Sequence, residues 1–366
     1  MKNNLIIIIT SGIIILSCNT RQYHSEDVTN PRFIPNTVFV SSEDLASPKF
    51  RHLITKYQLD TVFHGETDEF RRILLLRHWI KSIIKIDDYG DPYPGEGYAE
   101  GILDAALEGQ GFHCGHFMTV QNGIMNAYGY VTRPLGAGPG EAGGPDGHHG
   151  INEIWLNDHK KWFLSDAKYD HHFEKNGIPL SALEVRDEYF NNKGADVVML
   201  KGPERIPVEL DEEIGSTKES FMQTYTWIEW HVYNDMFTAW PDYETKLIMY
   251  EDDFYRNHTW IWDGKPHWAY NTEYLVTEKN REAIEWTPNI LSSEVEIEGE
   301  KALITLTSNM PNLMEYQMKK SGEEAWEPVN DTLEIFLDNE LHELMFRAVN
   351  LVQVVGPDHK ILIVRQ

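Results

Sequence analysis

The segment from residue 111 to residue 166 constrains the fold most, because a helical pattern is followed there by two strand patterns. After Cys114, apolar residues recur at intervals of three and four and form one stripe along a helix. Gly129 follows the stripe, and glycine commonly ends a helix. We therefore predict an amphipathic helix that begins at or near Cys114 and ends at Gly129. The apolar residues of the stripe are Phe117, Met118, Ile124, Met125 and Tyr128.

Two alternating segments close this stretch and predict a β-hairpin. Residues 149–156 and 161–166 are joined by turn-forming residues. With a two-residue turn at the centre, His149 becomes a diagonal neighbour of Asp166 on one face of the sheet. A register shift of one residue would exchange His149 for His148. The predicted pairs are Trp155 with Trp162, Glu153 with Leu164 and Ile151 with Asp166.

Neighbouring patterns place this stretch in an α+β domain. Residues 69–86 carry apolar positions at helical spacing, and residues 99–108 predict a second, shorter helix. Residues 130–135 predict a strand, whereas the glycine- and proline-rich residues 136–147 predict a mobile loop without a phosphate-binding pattern. We therefore predict a domain over residues 41–210, with helices packed on an antiparallel sheet.

The beginning of the chain resembles a bacterial lipoprotein signal. A lysine precedes the apolar run at residues 5–16, which Ser17 and Cys18 follow. The run is shorter than the roughly 20 residues that a membrane-spanning helix needs. The resemblance implies that residues 1–18 are a signal peptide and that Cys18 carries the lipid. We expect an exported lipoprotein held at the outer membrane or cell surface through Cys18, with the polar residues 19–40 as a tether.

Cys114 is then the single thiol of the folded part, so an internal disulfide is excluded there. Such a thiol is either an inert core residue or a reactive one. The predicted helix start favours reactivity, because unpaired amides stabilise a thiolate and can bind an oxyanion. Cys114, His149 and Asp166 occur in an order that fits a nucleophile, a general base and an orienting carboxylate.

Charge and ligand spacing exclude other classes of partner. The formal net charge of -26 is unsuited to binding nucleic acid, since phosphates require a basic face. A zinc site is the competing reading of the histidine-rich segments, but no standard ligand spacing is present. We therefore expect neither a metal nor another cofactor. The residues considered as zinc ligands are His113, Cys114, His116, His148, His149, His171 and His172.

Residues 211–288 are rich in tryptophan and tyrosine and are predicted to link two domains. Such aromatic density suits stacking on sugar rings of a glycan. The alternative is that these side chains fill a core or bury the interface between domains. The candidate substrate-binding aromatics are Trp227, Trp230, Trp260 and Trp262.

Alternation of apolar and polar residues returns over residues 289–366, in short segments separated by turns. This pattern predicts an all-β sandwich. With Trp326 and the Arg347–Asn350 segment, it resembles a fibronectin type III or immunoglobulin-like module, which implies a binding or spacing role.

The central unit resembles the transglutaminase-like superfamily, whose members share a papain-related cysteine core. The resemblance covers about residues 69–170 and is carried by FHCGHF, HHGINEIW and WFLSD. It implies that Cys114 is the nucleophile, His149 the general base and acid, and Asp166 the orienting carboxylate. The long glycine loop and the doubled histidine depart from the family pattern. Further positions in compatible contexts are Gly129, Arg133, Glu153 and Trp162.

Together these features predict a surface-anchored cysteine peptidase or amidase that works through a thioester intermediate. Its substrate would be a peptide or glycopeptide. An acyltransferase that passes the thioester to an amine, and so cross-links proteins, is one alternative. A lipoprotein that binds glycans or peptides without catalysis is the other.

Overall fold

The computed structural model describes residues 22–88, 99–138, 148–239, 246–257, 261–262, 265–266 and 275–366. Within these residues the protein has a mixed α+β fold with several antiparallel sheets. The helices are α1 Pro48–Lys56, α2 Glu69–Ile83, α3 Ala99–Leu107, α4 Cys114–Ala127, α5 Ala182–Asn192, α6 Lys218–Thr224, α7 Asp253–Asn257 and α8 Arg281–Ile284, with a 3-10 helix at Leu59–Phe63.

The strands of the first half are β1 Tyr23–Glu26, β2 Lys85–Ile86, β3 Gly111–Phe112, β4 Thr132–Gly138, β5 His149–Leu156, β6 Lys161–Ser165, β7 His171–Lys175, β8 Ile178–Pro179, β9 Val198–Lys201, β10 Ile206–Pro207, β11 Leu210–Asp211 and β12 Ser216–Thr217. Those of the second half are β13 Trp227–His231, β14 Leu247–Tyr250, β15 Ile261–Trp262, β16 Lys265–Pro266, β17 Leu275–Glu278, β18 Leu291–Glu298, β19 Lys301–Ser308, β20 Leu313–Lys320, β21 Glu327–Val329, β22 Thr332–Phe336, β23 Leu341–Asn350 and β24 His359–Arg365.

The central sheet has the strand order β17-β14-β13-β4-β5-β6 and is covered on both faces. Alternate residues of β5 supply the two cores, because successive side chains of a strand point to opposite faces. Ile154 packs with α1, α2, α3 and α4. Ile151 and Trp155 pack with α5 and α6. The sheet therefore lies between two helical layers, which agrees with the predicted mixed α+β class.

Helix α4 begins at Cys114 and ends before Gly129, as its apolar spacing predicts. The ring of His113 caps the start by accepting a hydrogen bond from the Gly115 amide at 3.2 Å. Gly129 has a φ of 75°, a left-handed conformation that glycine adopts without strain. The helix packs against β5 and β4.

The hairpin of β5 and β6 has the predicted register. Trp155 lies opposite Trp162 and Glu153 lies opposite Leu164. The last predicted pair does not form, because β6 ends at Ser165 and Asp166 instead bridges to His171. The helices predicted over residues 69–86 and 99–108 are observed with slightly earlier ends. The predicted strand over residues 130–135 begins two residues later and runs to Gly138. Most of the predicted glycine loop, residues 139–147, lies outside the described residues.

The aromatic-rich segment supplies strands to the central sheet. Strand β13 pairs with β4, and β14 pairs with β13. Trp227 and Trp230 are 1% and 0% exposed, so the expectation that they stack on a substrate is wrong in this structure. Both indoles fill cores, which was the alternative for this segment.

The carboxy-terminal residues form two sheets that face each other. The orders are β1-β24-β23-β20-β21 and β18-β19-β22, and residues of both sheets share one apolar cluster. This is the layered arrangement expected of a sandwich. Strand β1 comes from the segment predicted as a tether. That prediction fails for Tyr23–Glu26, because this segment pairs with the edge of β24 through backbone hydrogen bonds and Tyr23 packs in the core of the sandwich.

Candidate active site

Cys114 is the first residue of α4, and the helix start rests directly on β5. A Cβ atom added to Gly150 would lie 3.2 Å from the Cα atom of Gly115. The absence of a side chain at Gly150 thus lets the first turn of α4 approach the strand beside His149. The Cys114 side chain is 8% exposed, and its Sγ atom lies 3.8 Å from the carbonyl oxygen of His148.

His149 connects the thiol to a carboxylate. Its Nε2 atom lies 2.6 Å from Oδ2 of Asp166, and interaction with the Cys114 thiol helps to raise the pKa of its ring. Because Nε2 is engaged by Asp166, Nδ1 is the ring nitrogen left for Cys114. The imidazole stacks on the Tyr169 ring with centroids 5.2 Å apart. The structure thus brings the three sequence-predicted residues together, and His149 is the histidine that pairs with Asp166.

Asp166 is fully buried and accepts hydrogen bonds on both oxygens. The Tyr225 hydroxyl donates to Oδ2 at 2.8 Å, and the Tyr169 amide donates to Oδ1 at 3.2 Å. Backbone hydrogen bonds in both directions between Asp166 and His171 hold the chain here. The carboxylate is therefore held in one orientation toward His149.

Mutual attraction sets the charges of the three groups. Burial by itself would raise the pKa of the Cys114 thiol, but hydrogen bonds from three histidines and the charge of His149 hold this pKa well below its ordinary value. Burial would lower the pKa of His149, but the charge of Asp166 and hydrogen bonds to Asp166 and Cys114 raise it to about 9. A thiolate and an imidazolium are favoured. The three histidines are His113, His148 and His149.

The carboxylate stays ionised at any physiological pH. Burial would raise the pKa of Asp166, but the positive charge of His149 and its hydrogen bond hold this pKa well below the ordinary range. An ionised acceptor on Nε2 is what stabilises the imidazolium form of a histidine.

Two residues behind Asp166, Tyr225 and His171, were not among the candidate catalytic residues, although His171 was considered as a zinc ligand. Tyr225 is fully buried, and its hydroxyl lies 3.0 Å from Nε2 of His171. Burial lowers the pKa of His171 to about 4, so its ring is neutral near pH 7. A neutral ring protonated on Nε2 donates to the Tyr225 hydroxyl, which in turn donates to Asp166. No spacing rule connects Tyr225 to Asp166, and only the aromatic density of its segment drew attention to it.

A buried carboxyl lies on the far side of His148. Glu229 of β13 pairs with Gly136, where an added Cβ atom would lie 2.9 Å from Glu229 Oε1 and 3.1 Å from His148 Nε2. Burial raises the pKa of Glu229 to about 8. A protonated carboxyl can donate as well as accept a hydrogen bond.

The histidines considered as metal ligands have other partners. His172 Nε2 lies 2.9 Å from Glu174, and Arg77 approaches its other ring nitrogen. His113 and His116 contact each other at the start of α4. In the part of the chain that the structure describes, no group of three or more His, Cys, Asp or Glu side chains is arranged to hold a metal ion.

The structure gives little information on the remaining sequence candidates, Cys18, Trp260 and Trp262. Cys18 and Trp260 are outside the described residues, and Trp262 is described only as part of the short strand β15. None of the described helices is long and apolar enough to cross a membrane.

Comparison with known proteins identifies no relative of this chain among protein families or curated proteins. No protein-family model and no curated protein matches the chain.

Proposed function

We propose that this protein is a cysteine-dependent amide hydrolase with a transglutaminase-like core. The observation that carries the proposal is the linked set of Cys114, His149 and Asp166. The nucleophile begins a helix, interaction between the thiol and the imidazole of His149 lowers the pKa of the thiol and raises that of the imidazole, and a buried carboxylate 2.6 Å from the imidazole orients it. A nucleophile, a base and an orienting group within hydrogen-bonding reach are the parts of an activated cysteine.

Acylation uses the thiolate and the imidazolium together. The Sγ atom of Cys114 attacks the carbonyl carbon of an amide, and the carbonyl electrons move to oxygen. The backbone amide of Cys114 is among the first amides of α4, which have no partner within a helix, and so can donate to that oxyanion. The oxyanion then collapses, the carbon–nitrogen bond breaks, and His149 protonates the departing amine. A thioester on Cys114 remains.

Hydrolysis regenerates the enzyme. His149, now neutral, takes a proton from water as the water oxygen attacks the thioester carbon. Collapse of this second intermediate breaks the carbon–sulfur bond, releases a carboxylic acid and returns the thiolate and imidazolium. Asp166 keeps its negative charge throughout and stabilises the charged His149.

Water is the acceptor we favour over an amine. Bulk water outcompetes dilute amines unless a dedicated site binds them, and transfer to an amine would require such a site. A peptide or glycopeptide amide is the proposed substrate class. Attachment at the outer membrane or cell surface through lipid on Cys18 belongs to the same proposal.

The alternative of a glycan-binding protein without catalysis has less support. It relied on exposed aromatic side chains, and Trp227 and Trp230 are buried in the cores. An inert binding protein also has no need for a cysteine whose pKa is held below its ordinary value beside a His and Asp pair.

The proposal can be tested before a substrate is known. Iodoacetamide alkylates thiolates, so the rate at Cys114 is measured by mass spectrometry across pH in the full-length protein. A free thiol with a pKa near ~8.5, such as glutathione, slows about tenfold for each pH unit below that value. We expect Cys114 to react at about pH 6 nearly as fast as at about pH 8, unlike glutathione. In the His149→Ala variant, the Cys114 rate should instead fall with pH as the glutathione rate does. A Cys114 rate that follows glutathione across pH would overturn the proposal.

Turnover is the second test. The protein and its Cys114→Ser variant are incubated with peptide and glycopeptide amides, and Cys114 is examined for an acyl adduct. We expect a thioester that hydroxylamine removes, and none in the variant. Amide cleavage that continues undiminished in the Cys114→Ser variant would contradict the mechanism.

A further inference from the structure

A cleft of about 630 Å³ lies far from the candidate active site, where the helical layer meets the carboxy-terminal sandwich. Its walls come from α1, from the residues after α4 and from the loop at residues 352–354. Cys114 begins α4, which has 14 residues, and the cleft contacts the opposite end of that helix. At 1.5 Å per residue, this separates the two sites by about 20 Å. Clefts of this size between packed units are common ligand sites.

Two arginines line this cleft in a strongly acidic protein. Arg51 projects from α1 and Arg72 from α2. Neither guanidinium forms an ion pair within the described parts of the chain, although the protein carries a net charge of -26. With carboxylates in such excess, two arginines that share a cleft without a carboxylate partner are unexpected. Their positive charge is available to a ligand.

The Arg72 guanidinium is held in place without using its hydrogen-bonding capacity. Its Cζ atom lies 4.0 Å from the centroid of the Phe63 ring and 6.0 Å from that of Tyr128. Its Nε atom is buried and has no hydrogen-bond partner. Stacking fixes the plane of an arginine, and because Nε of Arg72 is buried, an anion in the cleft would contact the N–H groups of its two Nη atoms.

The acidic residue of the cleft is already engaged. Asp60 accepts a hydrogen bond from the Tyr128 hydroxyl at 2.9 Å. Phe50 and Tyr130 add apolar surface to the walls. The cleft thus combines two guanidinium groups with aromatic faces, which suits a small ligand with an anionic group and a less polar body.

We propose that this cleft binds a small anionic ligand whose carboxylate or phosphate oxygens contact Arg51 and Arg72. This binding site is separate from Cys114 and does not depend on whether the protein is an enzyme. A guanidinium group donates two parallel hydrogen bonds to a carboxylate or to a phosphate, so the same site can bind either kind of anionic group. The aromatic walls contact the uncharged part of the ligand.

Calorimetry on the full-length protein at constant ionic strength tests this site. The probes are glucuronate, glucose 6-phosphate and glucose, which place a carboxylate, a phosphate or no charge on one sugar ring, with inorganic phosphate as the minimal anion. We expect at least one anion to bind and glucose not to bind. If glucuronate and glucose 6-phosphate differ in affinity, the tighter one shows whether the cleft prefers a carboxylate or a phosphate.

Variants then locate the binding. Arg51→Gln and Arg72→Gln should each weaken anion binding by about tenfold or more, since each removes hydrogen bonds to a charged group. Arg365→Gln is the matched control, because it removes an exposed arginine of β24 that has no ion pair in the described structure. Binding unchanged in the Arg51→Gln/Arg72→Gln double variant would overturn the proposal. Equal binding of glucose and the anions, or no binding of any anion at millimolar concentration, would also overturn it.

Discussion

The hydroxyl oxygen of Tyr225 lies 2.8 Å from Oδ2 of Asp166, the same carboxylate oxygen that lies 2.6 Å from Nε2 of His149. Tyr225 follows α6, and Asp166 follows β6, so the contact joins two elements that are 59 residues apart in sequence. The hydroxyl competes with the imidazole for one oxygen and prevents the carboxylate from rotating. Tyr225 is therefore a positioning residue that acts on His149 through Asp166.

Replacing Tyr225 with Phe should lower kcat about tenfold and leave KM unchanged. The variant loses a hydrogen bond to a charged group, worth about 1.5–3 kcal/mol, and Tyr225 is too deeply buried to touch substrate. Without the competing donor, Asp166 should bind the His149 imidazolium more strongly. We therefore expect the alkaline limb of the pH profile to move to higher pH, which steady-state kinetics across pH will measure.

Tyr23→Phe is the matched control for that experiment. The Tyr23 hydroxyl donates to the carbonyl of Leu337 at 3.1 Å inside the sandwich. This variant should lose a comparable amount of stability but keep the kinetics and pH profile of the parent. A Tyr225→Phe profile identical to that of Tyr23→Phe would show that Tyr225 has only a structural role.

Replacing Asp166 with Asn should reduce turnover by about 10³-fold or more. The amide is neutral and no longer stabilises an imidazolium, and it can hold the ring in the wrong tautomer. Cys114 should then lose its reactivity at low pH, because the thiolate loses its charged partner. The iodoacetamide rate at about pH 6 should fall toward that of glutathione, and a low-pH rate equal to that of the parent would contradict the assigned role.

The pH dependence of turnover follows from the two shifted pKa values. His149 must be protonated to release the amine, and its pKa is raised to about 9, so activity should fall as the pH rises through about 9. Cys114 must be a thiolate, and its pKa is held well below the ordinary value. Activity should therefore persist far below the roughly 8.5 of a free thiol. A profile that rises through about pH 8.5 would instead indicate an ordinary, unpaired cysteine.

The buried pair of Arg133 and Glu153 supports the sheet behind the site. The Arg133 Nη2 atom lies 2.6 Å from Glu153 Oε2, which also accepts from Trp230 at 2.7 Å. Arg133→Met leaves an uncompensated buried carboxylate and should lower the free energy of unfolding by about 3–5 kcal/mol. Denaturant titration will measure this loss.

The double variant Arg133→Met/Glu153→Gln separates lost charge pairing from lost packing. Because a neutral amide does not carry the buried charge, this variant should recover part of the stability lost in Arg133→Met. The single variant Glu153→Gln is measured as well. If the double variant loses as much stability as the losses of Arg133→Met and Glu153→Gln added together, the ion pair contributes no coupling energy.

Much of the candidate site could be predicted from local patterns. The stripe after Cys114 specifies where α4 begins, because a helix must bury one face. The alternation in β5 and β6 predicts a register that favours His149 over His148, but a shift of one residue would reverse this choice, and only the structure fixes the register. These features depend on residues within one helix or one hairpin, where sequence spacing translates directly into position.

Contacts between distant segments could not be predicted. The aromatic density around Trp227 and Trp230 fits either a substrate surface or a core, and only the pairing of β13 with β4 shows that both indoles are buried. Tyr23–Glu26 has no apolar period, yet it completes a sheet at the other end of the chain. In both cases the strands pair through backbone hydrogen bonds, which any sequence can form, so the side chains do not identify the partner strand.

The sequence by itself therefore predicted the thiol at a helix start, a histidine and an aspartate at the ends of one hairpin, and the α+β class. Only the structure settled that the histidine is His149. Only the tertiary structure decided that Tyr225 holds Asp166 and that Arg51 and Arg72 share a cleft. The physical reason is distance along the chain. Helices and hairpins follow from the spacing of apolar residues along the chain. A contact between residues far apart in sequence depends on how the sheets and helical layers pack, which all of their side chains determine together.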